Sequence, residues 1–241
     1  MPSFERGAVS IYYEEFGSGY PILLFAPGGM RSSIDFWAKS PFDPTIELAK
    51  DFRVIAMDQR NAGKSRAPLS RTDGWHTYAQ DHIALLDHLG ISRCHLLGGC
   101  IGGSYSFGVI KEAPGRVSAA VLQNPIGLSP ANRDLFFAMF DGWAQALKPS
   151  HPEIDDAGLR EFRDRMYAGD FVFNVSRDFV RTVRTPLMIL MGSDDYHPTA
   201  TSEEIAKLAP NATLVREWKT PDLIPQTVAR VREFLTSHTP R

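Results

Sequence analysis

Among the titratable side chains of this sequence, Cys100 has the most suggestive surroundings: Leu96-Leu97-Gly98-Gly99-Cys100-Ile101-Gly102-Gly103. The run Cys94 to Leu97 reads as a buried strand, and a helix over Ile101 to Ala113 starts at once. A strand that becomes a helix within two residues puts the residue between them on a strained bend, with its side chain clear of both elements. Glycines must flank it, because a Cβ there would strike the neighbouring strand or helix. The helix N-terminus below offers unpaired N–H groups and a partial positive charge, so a thiol at the bend is more acidic than a free one near ~8.5. The chemistry on offer is thiolate attack on an electrophilic carbon.

The elements that must hold this residue follow in chain order. Val9 to Phe16 alternates as a strand does and ends at Gly17-Ser18-Gly19. Pro21 to Ala26 and Arg53 to Met57 are continuous apolar runs, as expected of strands covered on both faces. A short helix is expected around Thr45 to Lys50, a one-sided helix over His76 to Leu89, and a strand over Val117 to Gln123. Pro186 to Gly192 restores the buried-strand pattern; a helix over Ser202 to Leu208, a short strand over Thr213 to Arg216 and a closing helix over Leu223 to Leu235 complete the chain. Strand and helix in alternation give right-handed crossovers and a parallel sheet. Between Pro125 and about Thr185 the pattern breaks into helices: aromatic-rich Asn132 to Leu147, then Leu159 to Tyr167 and Arg177 to Val183.

The Cys100 turn resembles the nucleophile elbow of the α/β-hydrolase family, with cysteine where serine is usual, a feature shared with dienelactone hydrolases. Two further turns carry the resemblance. Pro27-Gly28-Gly29-Met30 stands where the family has a His-Gly turn that helps to bind an oxyanion, with Pro27 in place of histidine. Asp58-Gln59-Arg60-Asn61-Ala62-Gly63-Lys64-Ser65 is similar to the family's Asp-X-Arg-Gly-X-Gly-X-Ser turn, with Asn61 in place of a glycine. Gly63-Lys64-Ser65 is not the end of a phosphate loop, which needs glycine at position 58, where this chain has aspartate. The resemblance implies an α/β-hydrolase core over residues 1–125 and 185–241, a mostly parallel central sheet flanked by helices, and an inserted helical lid over 126–184. Oxyanion donors would be the N–H groups of Ile101 and of Gly29 or Met30, and Phe140 and Trp143 from the aromatic stripe would help to wall the substrate.

The family order of triad members is nucleophile, acid, histidine. The acid belongs in Ser193-Asp194-Asp195-Tyr196-His197-Pro198: counting from Gly192 favours Asp195, and counting back from Pro198 favours Asp194. The histidine belongs after the last strand, where Arg216 to Asp222 contains none. His197 is the first candidate to replace it, because it falls at the carboxyl end of a core strand, where open parallel sheets gather ligands. His76, opening a helix from a loop at the same edge, is the second.

Bulk properties narrow the partners. The net charge is −2 over 241 residues, with no basic surface for nucleic acid. No apolar run approaches the ~20 residues of a membrane span, and Met1 to Arg6 lacks the pattern of a signal peptide. Two cysteines do not make a disulfide framework, so a cytoplasmic setting is expected. The expected activity is hydrolysis of a small, largely apolar ester, lactone or thioester by a monomer or homodimer, with no metal and no cofactor. The missing histidine keeps open a lyase or isomerase that uses the oxyanion site without covalent chemistry, and an inactive small-molecule binder.

Overall fold

The computed structural model describes residues 2–240; Met1 of the N-terminal stretch and Arg241 at the end of the expected core fall outside the described residues. One eight-stranded sheet runs through the molecule in the order β1-β2-β4-β3-β5-β6-β7-β8. Its strands are β1 (Ser3–Arg6), β2 (Val9–Phe16), β3 (Tyr20–Phe25), β4 (Phe52–Met57), β5 (Cys94–Gly99), β6 (Val117–Gln123), β7 (Leu187–Leu190) and β8 (Ala212–Val215). β1 and β2 pair antiparallel at one edge, and every pairing from β4 to β8 is parallel. The mostly parallel sheet expected from the apolar runs is the one observed.

Helices cover both faces: α1 (Pro44–Glu47), α2 (Trp75–His88), α3 (Gly102–Glu112), α7 (Thr199–Leu208) and α8 (Ile224–Ser237). Two apolar clusters form as a result. Leu23, Phe25, Leu96, Ala120 and Ile189 pack under α2, α3 and α7, whereas Leu24, Val54, Leu97, Val121 and Leu190 pack against Trp218, Val231 and Leu235. Adjacent residues of β3, β5 and β6 thus enter opposite clusters, which is why these strands read as unbroken apolar runs. The helix expected over Thr45 to Lys50 is a single turn, Pro44–Glu47, begun by Asp43, whose carboxylate accepts from the Thr45 N–H (2.9 Å). β1 carried no sequence signal because only Phe4 of its four residues packs inward.

Between β6 and β7 lie three helices and no strand, α4 (Arg133–Leu147), α5 (Asp156–Tyr167) and α6 (Arg177–Thr182). They rise from the carboxyl ends of the strands, and α4 packs on the 3-10 turn Gly29–Arg31 that follows β3. There Arg31 Nη2 donates to the Gly142 carbonyl (2.8 Å). The turn after β4 is fastened from inside. The Asp58 carboxylate accepts from Ile34 and Lys64 N–H (2.8 and 2.7 Å), and the buried Arg60 Nε donates to Asp81 (2.7 Å). Among the described residues, no helix is long and apolar enough to cross a membrane.

Candidate active site

β5 sits between β3 and β6, and two residues separate its end from α3. Cys100 occupies that interval at φ +59°, a left-handed conformation that costs a non-glycine residue of order 1–3 kcal/mol. Its surroundings hold it there. The Cys100 N–H donates to the Gln123 carbonyl (2.9 Å), and the Cys100 carbonyl accepts from Gly103 (3.1 Å) and Ile126 (3.3 Å). The flanking glycines are required by contact: a Cβ on Gly98 would stand 2.1 Å from the Gly102 carbonyl oxygen, and one on Gly102 would stand 2.4 Å from that of Phe25.

Cys100 is partly open to a cavity, whereas Cys94 is fully buried in β5. Burial pushes the Cys100 thiol up, but the His197 imidazole beside it and the N–H groups of Gly28 and Ile101 outweigh that and hold it below the ordinary value. Ile101 was expected at this position. On the β3 side the N–H that reaches the sulfur is that of Gly28, in place of Gly29 or Met30. Gly29 lines the cavity, while Met30 is fully buried and its sulfur accepts from the Tyr167 hydroxyl (3.5 Å).

His197 reaches Cys100 from the turn after β7. Asp194 builds that turn by accepting three hydrogen bonds on one carboxylate oxygen: from His197 Nδ1 (2.7 Å) and from the Tyr196 and His197 N–H groups (3.1 Å each). The backbone closes it twice, His197 N–H to the Asp194 carbonyl (3.1 Å) and Asp194 N–H to the His197 carbonyl (3.3 Å). Carboxylate and imidazole thus share one four-residue turn. With Nδ1 fixed, Nε2 is buried without a closed hydrogen bond and stands beside the Cys100 sulfur. Desolvation disfavours the imidazolium, yet the thiolate and the Asp194 carboxylate more than offset it and raise His197 to about 9. Burial likewise raises Asp194, and its bonds to His197 bring it below the usual carboxylate range. Each group thus favours the charged form of the other: the imidazole lowers the thiol, and the thiolate raises the imidazole.

The other candidates lie elsewhere. Asp195 is exposed and contributes its carbonyl, not its carboxylate, to a bond from Asn132 Nδ2 (2.7 Å). His76 is exposed at the start of α2, against Thr77 Oγ1 (3.4 Å), and does not line the cavity. His82 and His95 are buried, and burial lowers them to about 3 and about 4; they bond Gln59 and Thr239. After β8, where the family places its histidine, Trp218 is buried and donates to the Met191 carbonyl (2.9 Å).

The cavity above Cys100 measures about 180 Å³ and is lined by Gly28, Gly29, Ile101, Ile126, Phe136, Met139, Tyr167, Tyr196 and His197. Phe140 and Trp143 are not among them, which corrects the sequence expectation. Phe140 packs on Phe162 of α5 (5.1 Å between ring centres), and Trp143 Nε1 donates to the Asn61 carbonyl (3.2 Å). Both lie on the α4 face that meets α5, whereas Met139 on a neighbouring face reaches Gly29. A wider groove of about 670 Å³ along Asp170 to Arg181 contains neither Cys100 nor His197.

Residues 21–155, more than half of the chain, match the family model described as alpha/beta hydrolase fold. The chain belongs to the α/β-hydrolase family. A relative named as the carbamate hydrolase RutD of Azorhizobium caulinodans is 35% identical over 128 residues, covering 52% of this chain and 44% of that protein. Its namesake from Pseudomonas syringae pv. syringae is 26% identical over 224 residues, 81% of this chain and 84% of that one. The chain spans about half the length of the first curated relatives it matches. Among solved hydrolase folds, a mutant of the meta-cleavage product hydrolase CumD from Pseudomonas fluorescens superimposes with a TM-score of 0.71 at 20% identity, covering 99% of this chain and 98% of that one.

Proposed function

We propose that this α/β-hydrolase-fold chain hydrolyses the ester-type bond of a small, largely apolar ester, lactone or thioester, with Cys100 as nucleophile. The observation that carries this is the relay Asp194–His197–Cys100, assembled at the carboxyl edge of the sheet under an apolar cavity with two N–H groups aimed at the sulfur. The relatives named as carbamate hydrolases support cleavage of a carbonyl–heteroatom bond.

In this mechanism the Cys100 thiolate adds to the substrate carbonyl carbon, and the carbonyl electrons move to oxygen. The N–H groups of Ile101 and Gly28, with Gly29 alongside, stabilise the oxyanion; each such donor lowers the barrier by roughly 3 kcal/mol. The intermediate collapses, the carbon–oxygen bond breaks, and His197 Nε2 gives its proton to the departing alkoxide. Neutral His197 then takes a proton from water, which attacks the thioester; the thiolate leaves, and the resting ion pair is restored. Asp194 keeps Nδ1 protonated throughout, so Nε2 is always the nitrogen that faces the reaction. Helices α4–α6 act as a lid that keeps the cavity dry. About 180 Å³ holds little more than a benzene-sized group, which restricts the acyl part to a short chain or one small ring.

Replacing Cys100 by Ala tests the proposal: turnover of a short activated ester such as p-nitrophenyl butyrate is lost. Turnover retained by that variant would remove Cys100 from the reaction.

A further inference from the structure

The turn that carries the acid and the base is exposed at its tip, where Asp194, Asp195 and Tyr196 all face solvent. Its base is tied to α7, through Gly192 N–H to Ser202 Oγ (3.1 Å) and Thr199 Oγ1 to the Gly192 carbonyl (3.0 Å). The tip is tied to a different element. Asn132, immediately before α4, is buried, and its Nδ2 donates to the Asp195 carbonyl (2.7 Å) and to the Gly127 carbonyl (2.9 Å). Its Oδ1 accepts from the Ser129 N–H (2.8 Å), so three of the polar contacts open to the amide are made. Alongside, the Gly127 N–H donates to the Tyr196 carbonyl (3.4 Å), and the ring of Phe136 meets that of Tyr196 edge-on at 5.4 Å.

We propose that Asn132 is a positioning residue for this site: its carboxamide clips the tip of the 194–197 turn to the first turn of α4 and thereby fixes where His197 stands over Cys100. The side chain makes no capping bond to its own helix, so the role is not that of an ordinary N-cap. Both Nδ2 hydrogens go to carbonyls outside α4, one of them in the catalytic turn itself. The same clip joins the helix that supplies Phe136 and Met139 to the cavity with the turn that supplies the base.

The inference rests on the proposed role of Cys100 and His197, and its test reads the pair directly rather than through turnover. The titratable groups around His197 are Asp194 and Tyr196 on its own turn, Cys100 on the elbow and Tyr167 from α5. The rate of Cys100 alkylation by iodoacetamide against pH reports the thiolate held by the imidazolium. Asn132→Asp keeps an acceptor for Ser129 but loses the amide donors, and Asn132→Ala loses all three contacts. Both should move the alkylation midpoint up by about one pH unit, towards an ordinary thiol. The kcat for p-nitrophenyl butyrate should fall about 10-fold to 100-fold, with KM changed far less. Phe140→Ala, which loosens α4 without touching the clip, should leave the midpoint where it is. Should Asn132→Ala fail to fold, Asn132→Asp carries the test alone. Folded Asn132 variants that titrate as the unaltered protein would overturn the proposal, as would an equal shift in Phe140→Ala. Ester turnover surviving Cys100→Ala would instead strike the hydrolase mechanism and leave the midpoint result intact.

Discussion

At Cys100 two effects of opposite sign meet, and the geometry decides between them. Burial favours the neutral thiol, as it does at Cys94, where it pushes the pKa up to about 12. Only Cys100 has an imidazole and two N–H groups turned towards its sulfur. Iodoacetamide at pH 7 should therefore modify Cys100 in the folded protein and leave Cys94 untouched until it unfolds; equal labelling, read by peptide mass, would contradict the electrostatics. His197→Ala should lose about 10²–10⁴-fold in turnover while keeping the fold, and His76→Ala should lose none. The pH dependence has a definite sign. His197 is raised to about 9, so its imidazolium is retained through neutrality and lost above that value, and with it the proton for the leaving group. Turnover should fall as pH passes 9. Stability should behave alike: the contribution of the charged ring is full below the ordinary histidine value near 6.5 and is lost as pH rises through 9. The bend that carries Cys100 was legible because its neighbours in sequence are also its neighbours in space. The choice between Asp194 and Asp195 was not, because it depends on which carboxylate folds back within a turn. Spacing of three residues lets Asp194 reach both the ring and the N–H of His197, whereas Asp195 is turned outward.

The elements that present these residues are held by contacts of very different tolerance. At the elbow the limit is backbone against backbone: Gly98→Ala would bring a methyl to 2.1 Å from a carbonyl oxygen, and no side-chain rotation can relieve it. That variant should lose about 1–3 kcal/mol or more of stability and its turnover together, measured by denaturant unfolding and ester assay; a variant of full stability would mean that strand and helix can separate without cost. In α4 the limit is which face a residue occupies. Phe140→Ala should cost about 3–5 kcal/mol, because the ring is fully buried against α5. The apolar runs of β3, β5 and β6 were readable because both faces of a central parallel strand are covered. The aromatic stripe of α4 announced an amphipathic helix but not which of its two neighbours each ring would meet. Phe136 and Met139 went to the cavity, and Phe140 and Trp143 to the α5 side.

Over the whole molecule, a parallel sheet gathers the elbow, the turn after β3 and the turn after β7 at one edge, and a helical segment closes over them. The cavity that results is small and apolar, and Met139 forms part of its wall against Gly29. Met139→Ala should enlarge it by the volume of three heavy atoms and shift the preferred acyl chain of p-nitrophenyl esters to longer members, with butyrate disadvantaged. An unchanged chain-length profile would place the acyl group elsewhere. The architecture was legible from the sequence nearly throughout, and so was the segment 193–198 that approaches Cys100; which of its two aspartates holds the His197 ring was not. The family's histidine follows the last strand, and here Trp218 fills that region as core. The most direct measurement is kcat/KM for p-nitrophenyl butyrate in Cys100→Ala, with folding verified by its unfolding midpoint. A fall of roughly 10³-fold or more is expected; a folded Cys100→Ala protein that hydrolyses the ester at the unaltered rate would contradict a cysteine nucleophile.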